Sequence, residues 1–398
     1  MTGGGAPARS EPPGRLAALD VWRGLIVVLM AVDHTAAFVG IKSMPEGLRM
    51  FGSRLRPTFE SVGTWFTRFV THYCAPGFVF LAGTSIVLFA LARSAGGRSQ
   101  GWISGHLILR GALLVALEYT VVNWGWGGMM PSPLFQVIGA IGVCLICGAG
   151  LRFVSSGACV IAGLLLLLGH PLLSDPELVP WAADVPAVWR RLLLVPEPMA
   201  RPLPTIYPVV PWLAVFLLGI GFGRALGHDR ARAMRWSGVA GMASLVAWFL
   251  IRWTDGFAAW LGPATDGWVV SLGTLTPYRP GEGWMDFMMM SKYPPAADFV
   301  LWSLGGGLLF LRFAHGRRLD GKAWAPLRQI GRVPLFFYLL HLYVYRWLAE
   351  AWLRDGEHDG GLGVVWGLWG VGLLVLWPAS VVFGKLKRRY PGFPLDLF

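Results

Sequence analysis

The stretch GLIVVLMAVDHTAAFVG, from Gly24 to Gly40, decides the fold class because it is an apolar segment of membrane length. A helix of about 20 apolar residues crosses the hydrocarbon core of a bilayer. Asp33 and His34 interrupt the segment, although a charge at the bilayer centre costs at least about 2.5–3.5 kcal/mol. Such a pair indicates either a polar contact between helices or a functional site.

The composition of the whole chain is that of a membrane protein. Of its 398 residues, 55% are hydrophobic and only 14% are charged, with a mean hydropathy of +0.55, whereas soluble domains are about 25% charged. The net charge of +12 is therefore expected in cytoplasmic loops rather than on a nucleic-acid-binding surface. We predict an all-α polytopic domain over residues 15–390, a disordered tail over 1–14 and a C-terminal tail over 391–398.

Ten apolar runs predict transmembrane helices. They are 22–41, 75–93, 107–124, 134–151, 153–170, 208–225, 236–254, 297–314, 333–352 and 362–384. Lys and Arg concentrate in the short segments that this order places on the side of the N-terminus. The positive-inside rule then puts both termini in the cytoplasm. We expect the chain to lie in the inner (plasma) membrane.

The segment between the first two runs departs from this rule because it carries several cations, including Arg68, on the outer side. It is either an ordinary solvated loop or a positive vestibule for an anionic acceptor. Residues 59–73 are predicted to form a short amphipathic helix at the interface, with Trp65, Phe66 and Phe69 facing lipid.

Histidines His34, His72 and His341 lie in or beside predicted spans. A neutral imidazole can act as a general base or can carry an acyl group. Asp33 and His34 are neighbours, so on a helix they point about 100° apart and cannot form a simple dyad. Asp33 is instead expected to orient His72 or a residue of another span, or to stabilise an imidazolium.

Asp20 and Arg23 are three residues apart and can pair on one face of a helix. Arg23 and Arg110 both fall near the predicted cytoplasmic boundary. They are either interfacial anchors or clamps for the phosphates of a nucleotide-bearing donor.

Several kinds of site are absent from the sequence. Cys144 and Cys147 have half the spacing of a zinc or redox site, but no second pair accompanies them, so we interpret them as packing residues and expect no metal. No P-loop, zincin or nucleophile-elbow motif occurs.

Five blocks of the chain resemble, in order, the heparan-alpha-glucosaminide N-acetyltransferase family. They are RLAALDVWRGLIVVLMAVDHT (Arg15–Thr35), HYCAPGFVFLAGTS (His72–Ser85), PLFQVIGAIGV (Pro133–Val143), YPVVPWLAVFLLGIGFGR (Tyr207–Arg224) and PLFFYLLHLYVYRW (Pro334–Trp347). The resemblance implies a membrane acyltransferase that moves an acyl group from cytosolic acetyl-CoA to an amine or hydroxyl, commonly of a sugar, at the far side of the membrane. It also implies an intramembrane catalytic histidine.

In the animal branch of that family the catalytic histidine lies in the loop after the first span, and no histidine occupies the matching place here. We therefore expect His34 first, and His72 second, as the catalyst, with Asp33 supporting it. Arg23, Arg110 and Asp20 are expected near the acetyl-CoA or other acyl-CoA donor, and a sugar or glycolipid is the expected acceptor.

Two other functional classes stay open. Polar residues at membrane depth also suit a secondary transporter of a small solute, although no inverted repeat is evident. A non-catalytic membrane partner of an envelope-polymer machine is the third class. Small residues that pack closely allow a homodimer without requiring one.

Overall fold

The computed structural model describes residues 16–40, 61–127, 134–173, 184–196, 203–254, 283–317, 319–354 and 360–398. Regular structure in these ranges is helical, apart from two isolated bridges. The all-α prediction is therefore confirmed, and the predicted disordered tail lies outside the described residues.

The helices are numbered here in chain order over the described residues. They are α1 (Ala17–Val39), α2 (Val62–Phe69), α3 (Cys74–Ala95), α4 (Gln100–Leu117), α5 (Asn123–Gly127), α6 (Val137–Leu151), α7 (Ser156–Leu173), α8 (Ala187–Leu193), α9 (Val209–His228), α10 (Arg230–Trp253), α11 (Trp284–Phe287), α12 (Ala297–Ala314), α13 (Ala325–Gly331), α14 (Pro334–Trp352) and α15 (Leu362–Arg389). A 3-10 turn, Val70–Tyr73, joins α2 to α3, and a π-helical turn, Glu118–Val122, joins α4 to α5.

Each of the ten predicted runs overlaps a helix. Within the described residues, seven segments are long and apolar enough to cross a membrane, and α6 and α7 contain shorter apolar helices. The chain is therefore a polytopic membrane protein. The number of ten crossings and the cytoplasmic location of both termini stay predictions.

Helix α1 is the centre of the bundle. It packs against α3, α12, α13, α14 and α15 because it is apolar around most of its circumference. Asp20 lies in its first turn and His34 near its end, roughly 21 Å apart along the helix axis. We call the two ends of the bundle the Asp20 end and the His34 end.

Glycines allow α3 and α9 to approach each other closely. A Cβ atom at Gly83 would lie 2.1 Å from the carbonyl oxygen of Phe216, and one at Gly219 would lie 2.1 Å from that of Phe80. The Thr84 hydroxyl donates across the same contact to the carbonyl of Gly219, at 3.1 Å. Small residues with interhelical hydrogen bonds are a common way to join helices in a bilayer.

Helix α2 departs from the prediction. Phe66 is exposed as expected, but Trp65 and Phe69 are buried, so the prediction that they face lipid is wrong. Trp65 packs edge-on against Trp284 of α11, and Phe69 packs against Trp302 of α12. These two helices lie beside α2, so only one of its aromatic side chains remains exposed.

The last residues of the chain return to the bundle. Leu397 is buried, and Lys387 Nζ of α15 donates to the carbonyl of Phe398 at 2.6 Å. The segment contacts α4, so the predicted C-terminal tail lies beside the helices near the Asp20 end.

The close contact between α3 and α9 predicts that one added methyl group at Gly83 lowers the stability of the protein. Gly83→Ala should lower the thermal unfolding midpoint of the detergent-solubilised protein, because overpacking costs about 1–3 kcal/mol. Gly367→Ala on α15 is the control, since nothing lies within 4 Å of its added Cβ. Equal midpoints for the two variants would contradict the close packing described here.

Candidate functional site

His34 of α1 pairs with His341 of α14. Their Nδ1 and Nε2 atoms are 2.6 Å apart, and the two rings stack with centroids separated by 4.9 Å. His341 is fully buried, whereas His34 is only partly buried. His34 is therefore the member of the pair that a bound molecule can reach, with His341 behind it.

The surroundings of His341 fix the proton on each ring. His341 Nδ1 faces the backbone carbonyl oxygens of Phe337, at 3.2 Å, and Tyr338. A carbonyl oxygen only accepts, so Nδ1 of neutral His341 carries the proton and Nε2 accepts one. His34 Nδ1 therefore donates its proton to His341 Nε2. This leaves Nε2 of His34 unprotonated, with a free lone pair.

Aromatic side chains enclose the pair. Trp126 of α5 meets the His34 ring edge-on at 4.7 Å and stacks on Phe38. Tyr338, one turn before His341, contacts both histidine rings. These contacts restrict the orientation of the His34 ring.

Asp33 lies between two cations. Its Oδ1 accepts from Arg68 of α2 at 2.7 Å, and its Oδ2 lies 3.6 Å from Lys292 Nζ, just before α12. Arg68 also donates to the hydroxyl of Thr71 at 2.8 Å. Arg68 therefore does not lie in a solvated loop, because its side chain is buried against Asp33. Residues 41–60 of the same segment lie outside the described residues, so the positive vestibule stays a prediction.

Two tyrosines lie beside this ion cluster, outside the long helices. The hydroxyls of Tyr207 and Tyr293 are 3.2 Å apart, and Lys292 Nζ lies 5.0 Å from the Tyr293 ring centroid. Burial raises the pKa of both phenols, so both stay protonated at neutral pH. They are therefore hydrogen-bond donors and not bases.

His72 occupies a different environment, in the 3-10 turn before α3. Its ring packs against Phe69 and Phe299, and its carbonyl accepts from the hydroxyl of Ser303 at 3.0 Å. Its Nδ1 has no hydrogen-bond partner within the described part of the chain. His72 is thus close to the cluster in sequence but does not belong to the His34–His341 pair.

A cavity of about 150 Å³ lies among α1, α3, α4, α6 and α14. Its walls are mainly apolar, and its polar lining includes Arg23, Ser85, His106, Arg110 and Tyr338. Since Tyr338 also contacts both histidine rings, one side chain connects the cavity with the histidine pair.

Arg23 is held in place by its neighbours. Its guanidinium donates to Asp20 at 3.0 Å and to the hydroxyl of Ser85 at 2.7 Å. Asp20 is almost fully buried and also lies 3.5 Å from Arg332. Arg23 therefore lines the cavity, and Asp20 is positioned to hold Arg23. The expectation that both lie near an acyl-CoA donor stays a prediction.

Arg110 differs from Arg23 because it lacks a counter-charge. Across the described ranges no carboxylate lies within ion-pair distance of it, and its buried Nε has no hydrogen-bond partner. Arg23, which lines the same cavity, carries a charge of the same sign. An arginine in an apolar bundle without an anion is costly, so this position favours an anionic ligand.

Sequence reasoning singled out His34, Asp33, Arg23 and Arg110, but it did not identify all their partners. No role was predicted for Lys292. None was predicted for Tyr338 either, because nothing distinguishes it from the other residues of its apolar run. His341 was a candidate because it lies inside a predicted span. Its pairing with His34 was not predicted, since the two residues are 307 positions apart in the sequence.

Comparisons with known proteins show the family of the chain. The family model described as Heparan-alpha-glucosaminide N-acetyltransferase, catalytic, matches residues 15–253. No curated protein matches the sequence significantly. The family match covers more than half of the chain and includes Arg23, His34 and Arg110. The chain therefore belongs to the heparan-alpha-glucosaminide N-acetyltransferase family.

Proposed function

We propose that this protein moves an acetyl or other acyl group from cytosolic acyl-CoA to an amine or hydroxyl of a sugar or glycolipid at the outer face. The observation that carries the proposal is the cavity. It contains the unneutralised cation Arg110 and reaches Tyr338, which contacts the His34–His341 pair. Membership of an acetyltransferase family supports the same reaction class.

The Asp20 end is the cytoplasmic end in this proposal. The chain segments near that end carry many arginines, among them Arg93, Arg98, Arg230 and Arg232. Such a bias is typical of cytoplasmic loops. A donor from the cytosol would then reach the cavity first, and the acceptor would approach from the His34 end.

Arg110 and Arg23 are suited to the phosphates of the donor. Arg110 supplies an unneutralised charge, and Arg23 is oriented by Asp20 and Ser85. Guanidinium groups bind phosphate oxygens through paired hydrogen bonds. The apolar walls beyond them, formed by α3, α4 and α6, suit the long arm that carries the thioester.

His34 is the proposed general base. Its Nε2 removes a proton from the acceptor amine or hydroxyl as that group attacks the thioester carbonyl carbon. A C–N or C–O bond forms, the C–S bond breaks, and the imidazolium returns its proton to the leaving thiolate. His341 stabilises the reactive tautomer by accepting from His34 Nδ1.

The same nitrogen offers a second route. If Nε2 attacks the thioester carbonyl first, a C–N bond to His34 forms, the C–S bond breaks, and the thiolate leaves an acyl-imidazolium behind. The acceptor then attacks the same carbonyl carbon, the bond to Nε2 breaks, and the proton that the acceptor loses goes to the thiolate. In both routes Asp33, adjacent to His34, partly offsets the positive charge of the imidazolium. Arg68 and Lys292 keep the Asp33 carboxylate ionised and fixed. His72 is the second candidate for the same role.

The acceptor would meet a polar surface with aromatic sides at the His34 end. The partly exposed carboxylate of Asp33 offers a charged group, while Trp126 provides a flat apolar ring beside His34. A molecule with hydroxyl or amine groups on a partly apolar ring, as in a sugar, matches this combination.

The histidine assignments predict a separation of binding from transfer. His34→Ala should reduce acyl transfer by about 100- to 10,000-fold while CoA binding is retained, because the base acts only on the reacting groups. Transfer is measured with labelled acetyl-CoA and a panel of amino sugars and glycolipids, alongside His72→Ala and His341→Gln. His315→Ala, distant from the cavity, is the control.

His341→Gln should reduce transfer less than His34→Ala, since it orients the base without touching the substrate, and it should shift the pH profile of transfer. Full activity of His34→Ala would overturn its assignment as catalyst. Loss of activity in His72→Ala alone would move the role to His72. Label on the protein before acceptor is added would favour the acyl-imidazole route if neutral hydroxylamine releases it and His34→Ala does not acquire it.

The donor assignment predicts a change in affinity. Arg110→Gln should weaken CoA binding about tenfold, the typical effect of losing one charge-assisted hydrogen bond. Binding is measured by calorimetry on the solubilised protein, with Arg98→Gln, an exposed arginine near the same end, as the control. Equal affinities of the two variants would refute the role of Arg110, and solute uptake without CoA binding would favour the transporter.

A further inference from the structure

A second cavity lies on the opposite side of α3 from the donor cavity. It has a volume of about 730 Å³ and is formed by α3, the turn between α6 and α7, and α9. Ile86 and Phe89 of α3 face the donor cavity, whereas Val87, Ala90 and Leu91 line the second one. We call this second cavity the α3–α9 groove.

Arg152, in the turn after α6, is the most buried cation of the groove, with a relative exposure of 8%. Its guanidinium donates to the backbone oxygen of Gln100 and to the hydroxyl of Ser104, both at 3.0 Å, and to the side-chain oxygen of Gln100. These acceptors are all neutral. The Nε atom of Arg152 is buried and has no hydrogen-bond partner in the described segments.

Arg224 of α9 lies beside it. Its guanidinium donates to the backbone carbonyl of Arg152, and its buried Nε also lacks a partner among the residues described. The structure gives neither arginine an ion pair with a carboxylate of the described chain. Two cations thus share one groove without a counter-charge.

The rim of the groove is apolar and faces outward. Leu91 and Phe153 both line the groove and are 50% and 60% exposed. The Arg152 guanidinium lies 4.0 Å from the centroid of the Phe153 ring. Buried cations next to exposed apolar side chains match a ligand with an anionic head and a hydrocarbon body.

We propose that the α3–α9 groove is a binding site for an anionic membrane phospholipid, whose phosphate is held by Arg152 and Arg224. The two free Nε–H groups would donate to phosphate oxygens, and the acyl chains would lie along Leu91 and Phe153. Guanidinium groups suit such planar, multiple hydrogen bonding. The site is separate from the donor cavity and does not depend on the proposed acyl transfer.

Native mass spectrometry of the full-length, delipidated protein tests this site. Binding of phosphatidylglycerol is compared with binding of zwitterionic phosphatidylcholine in separate titrations. The phosphatidylglycerol titration is then repeated in the presence of excess CoA or inorganic phosphate. We expect one tight phosphatidylglycerol site that phosphatidylcholine, CoA and phosphate do not fill. Arg224→Gln should weaken it about tenfold, while Arg235→Gln, an exposed arginine outside the groove, should leave it unchanged.

Leu91→Glu provides a test that does not disturb the arginine hydrogen bonds. It places a carboxylate on the exposed rim, so it should also weaken phosphatidylglycerol binding by like-charge repulsion. Equal binding of the two lipids, or unchanged phosphatidylglycerol affinity in both Arg224→Gln and Leu91→Glu, would overturn the proposal. Displacement of the lipid by CoA or inorganic phosphate would overturn it in favour of a soluble phosphate ligand.

Discussion

The ion cluster of Asp33 with Arg68 and Lys292 is the constraint on which the site depends. It joins α1, α2 and the segment before α12. Removing one partner from a buried pair leaves an uncompensated charge, which typically costs about 3–5 kcal/mol. Because His34 follows Asp33 directly on α1, the cluster also fixes how His34 meets His341.

Much of the fold follows from local sequence pattern. Apolar runs place most of the long helices within a few residues of their observed bounds, because bilayer thickness determines both run length and helix length. The run 107–124 is an exception, since α4 begins and ends seven residues earlier. The cost of burying charge in a bilayer also singled out Asp33 and His34, since ionisable residues inside an apolar run indicate a polar contact or a functional site. Arg23 and Arg110 were singled out by their positions near one predicted membrane boundary, and both line the same cavity.

The partners of these residues could not be predicted in the same way. His341 lies 307 residues after His34, and nothing in either local pattern indicates that the two rings meet. Arg68 was predicted to lie in a loop. Its burial depends on the packing of α2 against the bundle, which the local sequence does not show. The burial of Trp65 and Phe69 has the same tertiary cause. Local sequence pattern therefore predicts the helices and the candidate residue His34, while tertiary packing determines the surroundings of that residue.

The family match ends at residue 253, whereas Lys292, Tyr338 and His341 lie beyond it. The site thus combines the matched region with the C-terminal helices α12 and α14. A cryo-EM structure with a thioether analogue of acetyl-CoA tests this arrangement most directly. We predict phosphate density at Arg110 and the acyl end at Tyr338, within reach of His34 Nε2. An analogue bound outside this cavity, or one that leaves it empty at saturating concentration, would contradict the account.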